Sequence, residues 1–276
     1  MATPHRLPAS LLRRPVRVLV VGCGGTGSAI AAGLPYLHQA MVAAGHPGGL
    51  DVVLLDDDVV SPTNTVRQPF APGEIGHAKS IVLANRLNLF YQVGWRGRAR
   101  RLQPDGAPLN ADLVIGCVDT RAARAAIAAR CSGESGVRYW LDLGNDASSG
   151  QFVLGEPLNE RNPARRRHRL PTAPELYPEL VDVAADARDT APACSALEAL
   201  ARQEPFVNQA LAMQALAMLA RLFRYGEIAY HGGFVNLAAG RSVALPVSVD
   251  GWARIQQANA ARRSRPSRTS RRGGRR

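Results

Sequence analysis

Three groups of residues in this chain have the types and spacing that chemistry requires, and the first is a glycine loop. Gly22-Cys-Gly24-Gly25-Thr-Gly27 follows directly on the β-branched run Val16–Val21 and precedes an alanine-rich stretch. Gly22, Gly24 and Gly27 spell G-x-G-x-x-G between an expected strand and an expected helix, where backbone N–H groups at a helix N-terminus hold phosphate. Alone, the motif points to a nucleotide and no further. Asp56 closes a second run, Val52–Asp56, where a carboxylate accepts hydrogen bonds from ribose hydroxyls. It stands 29 residues after Gly27, against a usual spacing of about 20, because His38–Leu50 lengthens the connection. The alternative reading of Asp56 is an ordinary strand-end turn residue.

The second group is a single residue. Of 34 basic side chains, 33 are arginine and only Lys79 is lysine. A compact ammonium differs from a planar guanidinium in size, hydration and reach, so a lone lysine points to work that arginine does not do; the alternative is chance survival. The third group is sulfur. Cys23, Cys117, Cys131 and Cys194 are too few and too widely spaced for a disulfide framework or a CxxC zinc site. None of the six histidines has a partner at ligand or triad spacing, and each reads as a surface or loop residue.

The segment after the second strand runs Asp56-Asp-Asp58-Val-Val-Ser-Pro-Thr-Asn64-Thr-Val-Arg67-Gln68 and then Gly76-His-Ala-Lys79. It resembles the D-x-D-x-V-x-x-S-N-x-x-R-Q … G-x-x-K signature of the ThiF/MoeB/E1 superfamily, which adenylates the C-terminal carboxylate of ubiquitin-like proteins. Val114-Ile-Gly-Cys-Val-Asp119 is similar to the family's aspartate after the fourth strand. These motifs cover residues 16–154. The His-Pro-Gly-Gly before the second strand, Tyr139-Trp-Leu-Asp-Leu-Gly-Asn145, Glu175-Leu-Tyr-Pro-Glu-Leu180, Cys194-Ser, Phe206-Val-Asn-Gln209 and His231-Gly-Gly-Phe-Val-Asn236 resemble the ThiF-like branch of plasmid-associated PRTRC gene clusters, extending the likeness to residue 255.

That resemblance implies ATP and Mg2+ as cofactors, and an acceptor protein with a C-terminal carboxylate, encoded in the same gene cluster. Attack of the carboxylate on the α-phosphorus needs charge neutralisation and positioning above all. Arg67 suits a bidentate hold on phosphate oxygens. Lys79 suits a point charge beside the α and β phosphates, and Asp119 suits Mg2+. Asn64 and Gln68 position phosphate and backbone, and Asp58 supports the nucleotide pocket. Cys194 falls where sulfur-carrying relatives present a reactive thiol, and a helix start there would lower its pKa; a buried structural thiol is the equal alternative. Cys23 and Cys117 occupy small-residue positions of the pocket and read as packing, and Cys131 as inert. Relatives with structural zinc carry paired CxxC motifs, so no zinc is expected. Many relatives send an N-terminal arginine into the partner subunit's site; Arg13 and Arg14 are the substitutes here, and a homodimer is expected from the resemblance alone.

These residues need a scaffold, and the chain supplies one. Short β-branched runs alternate with helical stretches over residues 16–154, which predicts an α/β Rossmann-like adenylation fold, a mostly parallel sheet with helices on both faces. Further strands are expected at Trp95–Arg101, Asp112–Cys117, Tyr139–Leu143 and, as an edge, Gln151–Leu154. Helices are expected from the glycine loop to near Gly45, with Pro35 kinking it, and over Ser80–Leu89, Arg121–Arg130 and Phe206–Phe223. A C-terminal antiparallel hairpin pairs Phe234–Leu237 with Ser242–Leu245. Residues 1–15 read as an N-terminal extension, 16–255 as the adenylation domain with a long loop over 156–193, and 256–276 as a basic disordered tail.

Composition narrows the class. The net charge of +12 is local: eight arginines from Arg262 to Arg276 and five between Arg161 and Arg169 leave −1 for everything else. The tail would touch nucleic acid only without sequence preference. No apolar run approaches the roughly 18 residues of a membrane span, and Met1–Pro15 lacks a signal-peptide core of roughly 7–15 apolar residues, so the cytoplasm is expected. Two other functions stand beside adenylation: a non-catalytic nucleotide-binding adaptor of a plasmid-associated system, and an NAD(P)-dependent oxidoreductase supported by the glycine loop alone.

Overall fold

A computed structural model describes residues 4–164, 168–185 and 204–263. After a two-residue strand, β1 (His5–Arg6), the run Val-Arg-Val-Leu-Val-Val forms β2 (Val16–Val21). It pairs in parallel with β3 (Leu50–Leu55), and β3 in turn with β4 (Arg96–Arg98). On its other side β2 pairs in parallel with β5 (Leu113–Gly116), and β5 with β6 (Tyr139–Asn145). Strands covered on both faces read as continuous apolar runs, and all four residues of β5 are buried.

The sheet continues antiparallel through β7 (Ser149–Gly155), β9 (Tyr230–Asn236) and β10 (Arg241–Pro246), giving eight strands in the order β10-β9-β7-β6-β5-β2-β3-β4. The C-terminal hairpin forms as the sequence predicts. β7 does not lie at an edge: β9 pairs along it from Ser149 to Val153, a contact between distant segments that local pattern does not encode. A short β8 (Glu227–Ile228) pairs with β1 in a separate ladder.

Helices clothe both faces. α1 (Gly25–Ala43) and α3 (Lys79–Tyr91) pack on one face together with the long α6 (Val207–Tyr225), while α4 (Arg121–Cys131) covers the other through Ile127 and Cys131 against Trp140 and Val114. α1 and α6 approach so closely that a Cβ on Gly33 would sit 2.3 Å from Leu216 Cδ1. Two short helices, α2 (Asn64–Arg67) and α5 (Ala173–Leu176), sit in connections. α1 runs through Pro35 and stops at Ala44, where Gly45 takes φ +88° and donates its N–H to the Val42 carbonyl.

Packing gives the N-terminal extension a role and corrects two expectations, those of a tail from residue 256 and of surface histidines. The described part of the N-terminal extension is integral to the fold: Leu7 and Leu11 are buried, and Arg14 forks onto Asp112 with two bonds of 2.7 Å. The last helix, α7 (Val249–Arg263), runs past residue 256, where a disordered tail was expected. Trp252 is buried and donates to His231 Nε2 at 2.8 Å, and Asn259 donates to the Leu176 carbonyl, so α7 is docked. His231 and His5 are core residues rather than surface ones: His231 bridges the Leu154 carbonyl and Trp252, and His5 meets the Tyr139 hydroxyl at 2.7 Å. Among the described residues no helix is long and apolar enough to cross a membrane.

Candidate functional site

Chain order reverses across β2, with β3 and β4 on one side and β5 and β6 on the other. A doubly wound sheet binds ligands at such a switch point, outside the carboxyl ends of its strands. The turns that leave β2, β3 and β5 carry the glycine loop, the Asp56–Asp58 run and Asp119, so the fold brings the three motifs to one edge.

The glycines of the loop have different tasks. Gly22 takes φ +91°, and a Cβ there would lie 2.6 Å from the Cys117 carbonyl oxygen. A Cβ on Gly27 would come within 1.8 Å of the Gly22 oxygen, so the loop closes on itself only without one. Gly25 faces Asn208, whose Nδ2 would stand 2.6 Å from a Cβ. Gly24 faces open space, its nearest neighbour being Gln68 Nε2 at 4.0 Å. Gly24 is also the N-cap of α1 and supplies no side-chain cap, which leaves the N–H groups of the first turn available to an anion.

Asp56 ties the loop to its neighbour. One carboxylate oxygen accepts from the Cys23 N–H and the other from the Asp58 N–H at 2.7 Å. Burial raises its pKa, and those two backbone bonds oppose the rise. The same arrangement performs the strand-end turn role and leaves further lone pairs for a sugar hydroxyl. Asp58 turns outward, 63% exposed, and accepts from Lys79 Nζ at 2.8 Å. Lys79 is 6% exposed at the first position of α3, and its N–H bonds the Asp58 carbonyl at 3.0 Å.

Asn64, also buried, caps its own turn by accepting from the Ser61 N–H at 2.9 Å, and the Gln68 N–H returns to the Asn64 carbonyl. Gln68 Oε1 is buried and has no hydrogen-bond partner among the described residues. Arg67 closes α2, between Asn64 and Gln68. Asp119 is exposed just before the Thr120 N-cap of α4, and its carboxylate pairs with nothing among the described residues.

The chemistry of these groups fits a nucleotide and a hard cation: uncapped helix N–H groups, an orphaned amide oxygen on Gln68, a buried ammonium and an unpaired carboxylate. The three consecutive carboxylates Asp56, Asp57 and Asp58 approach within 4.8 Å of one another, but Lys79 compensates Asp58 and Arg101 pairs with Asp57 at 3.0 Å. Asp119 has no such counter-charge among the described residues.

Not every expected residue joins the site. Cys194 lies outside the described residues. Arg14 is committed to Asp112 at the N-terminal ends of β2 and β5, the edge opposite the glycine loop. Burial raises the pKa of the Cys23 thiol well above its ordinary value, desolvation and the Asp142 carboxylate push Cys117 up, and Cys131 is pushed up to about 12, so all three behave as packing.

Two contacts escape motif reading: Asn208 Oδ1 accepts from Thr26 Oγ1 at 2.7 Å, and Asn145, at the end of β6, lies 3.1 Å from the same hydroxyl. The signal for Asn208 was a polar residue interrupting an otherwise apolar helix.

A comparison with curated proteins gives no match. Among solved structures, PaaA superposes with a TM-score of 0.55 at 15% identity, over 84% of this chain and 73% of PaaA. MccB of E. coli, solved with ATP, gives a TM-score of 0.51 at 16% identity, over 84% of this chain and 64% of MccB. MccB solved with MccA-N7isoASN gives 0.51 at 15% identity over the same shares. This chain thus spans 64% of the length of MccB, and the likeness is one of fold. The family model of ThiF matches residues 11–245, which takes in every described strand of the main sheet but the end of β10, and the chain belongs to the ThiF family.

Proposed function

We propose that this protein uses ATP and Mg2+ to activate a carboxylic acid as its adenylate, and that the acid is the C-terminus of a ubiquitin-like or small partner protein encoded in the same gene cluster. The observation that carries the reading is Lys79. The only lysine of the chain is held nearly buried at the carboxyl edge of the parallel strands, against a mostly exposed aspartate that a phosphate oxygen can replace. Family membership supports it, as does a fold shared with MccB, which has been solved with ATP.

In this reading a carboxylate oxygen of the acid bonds to the α-phosphorus as the bond to the α–β bridging oxygen breaks, and pyrophosphate leaves with the electron pair. The first-turn N–H groups of α1 hold phosphate oxygens, and Gly24 lets them approach. Lys79 exchanges Asp58 for the oxygens on which charge builds, and Arg67 grips them from α2. Asp56 accepts from a ribose hydroxyl, Asn64 keeps the turn before Arg67 closed, and the free Oε1 of Gln68 accepts from the nucleotide. Asp119 holds Mg2+, which neutralises phosphate charge when bound. Cys194 enters only as an acyl acceptor after adenylation, its thiolate displacing AMP.

The test pairs thermal shift with pyrophosphate exchange. Ligand at 100 times its Kd adds about 2.7 kcal/mol, roughly 2–4 °C per kcal/mol for a domain of this size. Wild-type protein shifts with Mg2+ATP and exchanges pyrophosphate once the acceptor is supplied. Lys79→Met, which keeps the apolar stem and removes the charge, melts cooperatively and exchanges nothing. Full exchange by the variant refutes the role of Lys79. ATP binding without exchange for any acceptor replaces the reading by that of an adaptor, and a shift with NAD alone by that of an oxidoreductase.

A further inference from the structure

Arg124 lies one turn into α4, a helix whose Arg-Ala-Ala-Arg spacing suggests a solvated arginine, yet it is 5% exposed. Its Nε donates to Asp142 Oδ1 at 2.9 Å, and its Nη2 donates to the Val118 carbonyl at 3.1 Å. Asp142 is 1% exposed in the middle of β6. Gly144 makes room for the guanidinium, since a Cβ there would lie 3.3 Å from Arg124 Nη2.

This ion pair is poorly built as a stabilising device. Among the described residues Asp142 Oδ2 is buried without a hydrogen-bond partner, and so is the neighbouring Trp140 Nε1. Two charges taken from water and left incompletely satisfied are often no better for stability than an apolar pair of similar volume. What an apolar pair lacks is the second arm, which grips the carbonyl one peptide before Asp119. The other side of that turn is fixed too, because the Cys117 carbonyl rests against Gly22 of the glycine loop. The turn is thus clamped between a buried fork and the phosphate loop.

We propose that Arg124, anchored by Asp142, is a positioning residue that fixes the Cys117–Asp119 turn and so holds the Asp119 carboxylate where a nucleotide-bound cation meets it. The inference rests on the adenylation reading above and names a residue pair that the reading did not include. Groups that orient a metal ligand in this way commonly carry about 10- to 100-fold in metal affinity.

The test measures binding of a fluorescent ATP analogue to the full chain, in EDTA and in saturating Mg2+, and takes the ratio of the two Kd values as the metal-dependent gain. Arg124→Lys keeps the charge but cannot span both acceptors, and the double variant R124M/D142L removes the pair while keeping volume and neutrality. Both are expected to bind the analogue in EDTA within about twofold of wild type and to lose about tenfold or more of the metal-dependent gain. Asp119→Asn should lose the gain to a similar degree. A purely structural role would instead weaken binding in EDTA and in Mg2+ alike. If Arg124→Lys fails to fold, R124M/D142L decides. Wild-type gain in a folded variant overturns the inference and leaves the adenylation reading intact; a wild-type protein that binds no nucleotide overturns both.

Discussion

The glycine loop allows structure and function to be separated one methyl group at a time. A Cβ on Gly27 would meet the Gly22 carbonyl oxygen at 1.8 Å, over an ångström closer than any side-chain carbon tolerates. The obstacle is backbone rather than the end of a flexible side chain. Gly27→Ala must therefore push α1 off β2, at about 3 kcal/mol or more by the measure of overpacked cores. At roughly 2–4 °C per kcal/mol, that lowers Tm by about 6–12 °C. Gly24→Ala has a different outcome. Gly24 has φ −74°, which any residue adopts, and its Cβ would meet nothing nearer than 4.0 Å.

The weaker N-cap of alanine costs about 0.5–1 kcal/mol, while the stiffer unfolded chain returns about 0.4–1 kcal/mol. Tm should therefore stay within about 2 °C of wild type. The methyl group nonetheless fills the space a phosphate would enter, so the thermal shift with Mg2+ATP should vanish. Scanning calorimetry of both variants, with and without nucleotide, is the assay. Wild-type Tm for Gly27→Ala would refute the loop geometry, and an undiminished ATP shift for Gly24→Ala would refute its use as a phosphate cradle.

Two acid-side windows separate the buried ionisable groups. Arg14 and Arg17 hold the Asp112 carboxyl well below the usual range against the opposing effect of burial, so its contribution is present above about pH 4 and fades as pH falls toward the folded value. Asp112→Asn should cost about 3 kcal/mol at pH 7, measured by denaturant titration, and the gap from wild type should narrow below pH 4; a gap independent of pH would refute the charge pairing. His231 behaves oppositely, because burial lowers its pKa to about 4 and the neutral ring is the one that fits between Leu154 and Trp252. The unfolded chain then takes up the proton first, and stability should fall as pH drops from about 6.5 to about 4. His231→Gln should flatten the stability profile over that window, and an unchanged slope would place the titrating group elsewhere.

The parts of the molecule written in contiguous sequence were readable, and those made by distant pairing were not. β2 and β3 announce themselves as β-branched runs, and the glycine loop, Asp56 and Lys79 lie in motifs whose spacing is local. The edge assigned to Gln151–Leu154 was wrong because β9, some 80 residues later, covers it. Asn208 reaches Thr26 across 182 residues, and Arg124 reaches Asp142 from a helix to a strand, so neither relation has a local signature. Both left a trace in composition: a carboxylate inside the apolar Tyr139–Leu143 run, and an amide inside an apolar helix. His231 was misplaced for the same reason, since the ring is accepted into the core only because a tryptophan and a carbonyl satisfy both its nitrogens.

The pairing of β1 with β8 sets an order of events in biosynthesis. His5 faces Ile228 and Arg6 faces Glu227, so β1 leaves the ribosome about 220 residues before its partner exists. At about 5–20 residues per second, that interval is roughly 10–45 s. During it Leu7 and Leu11, buried in the finished protein, have no completed surface to cover them. The parallel strands β2, β3 and β5 can meet meanwhile, so a nascent sheet bearing the nucleotide edge precedes the closure that locks the chain's beginning to its last third. A chaperone that shields short apolar segments would act here on residues 7–12.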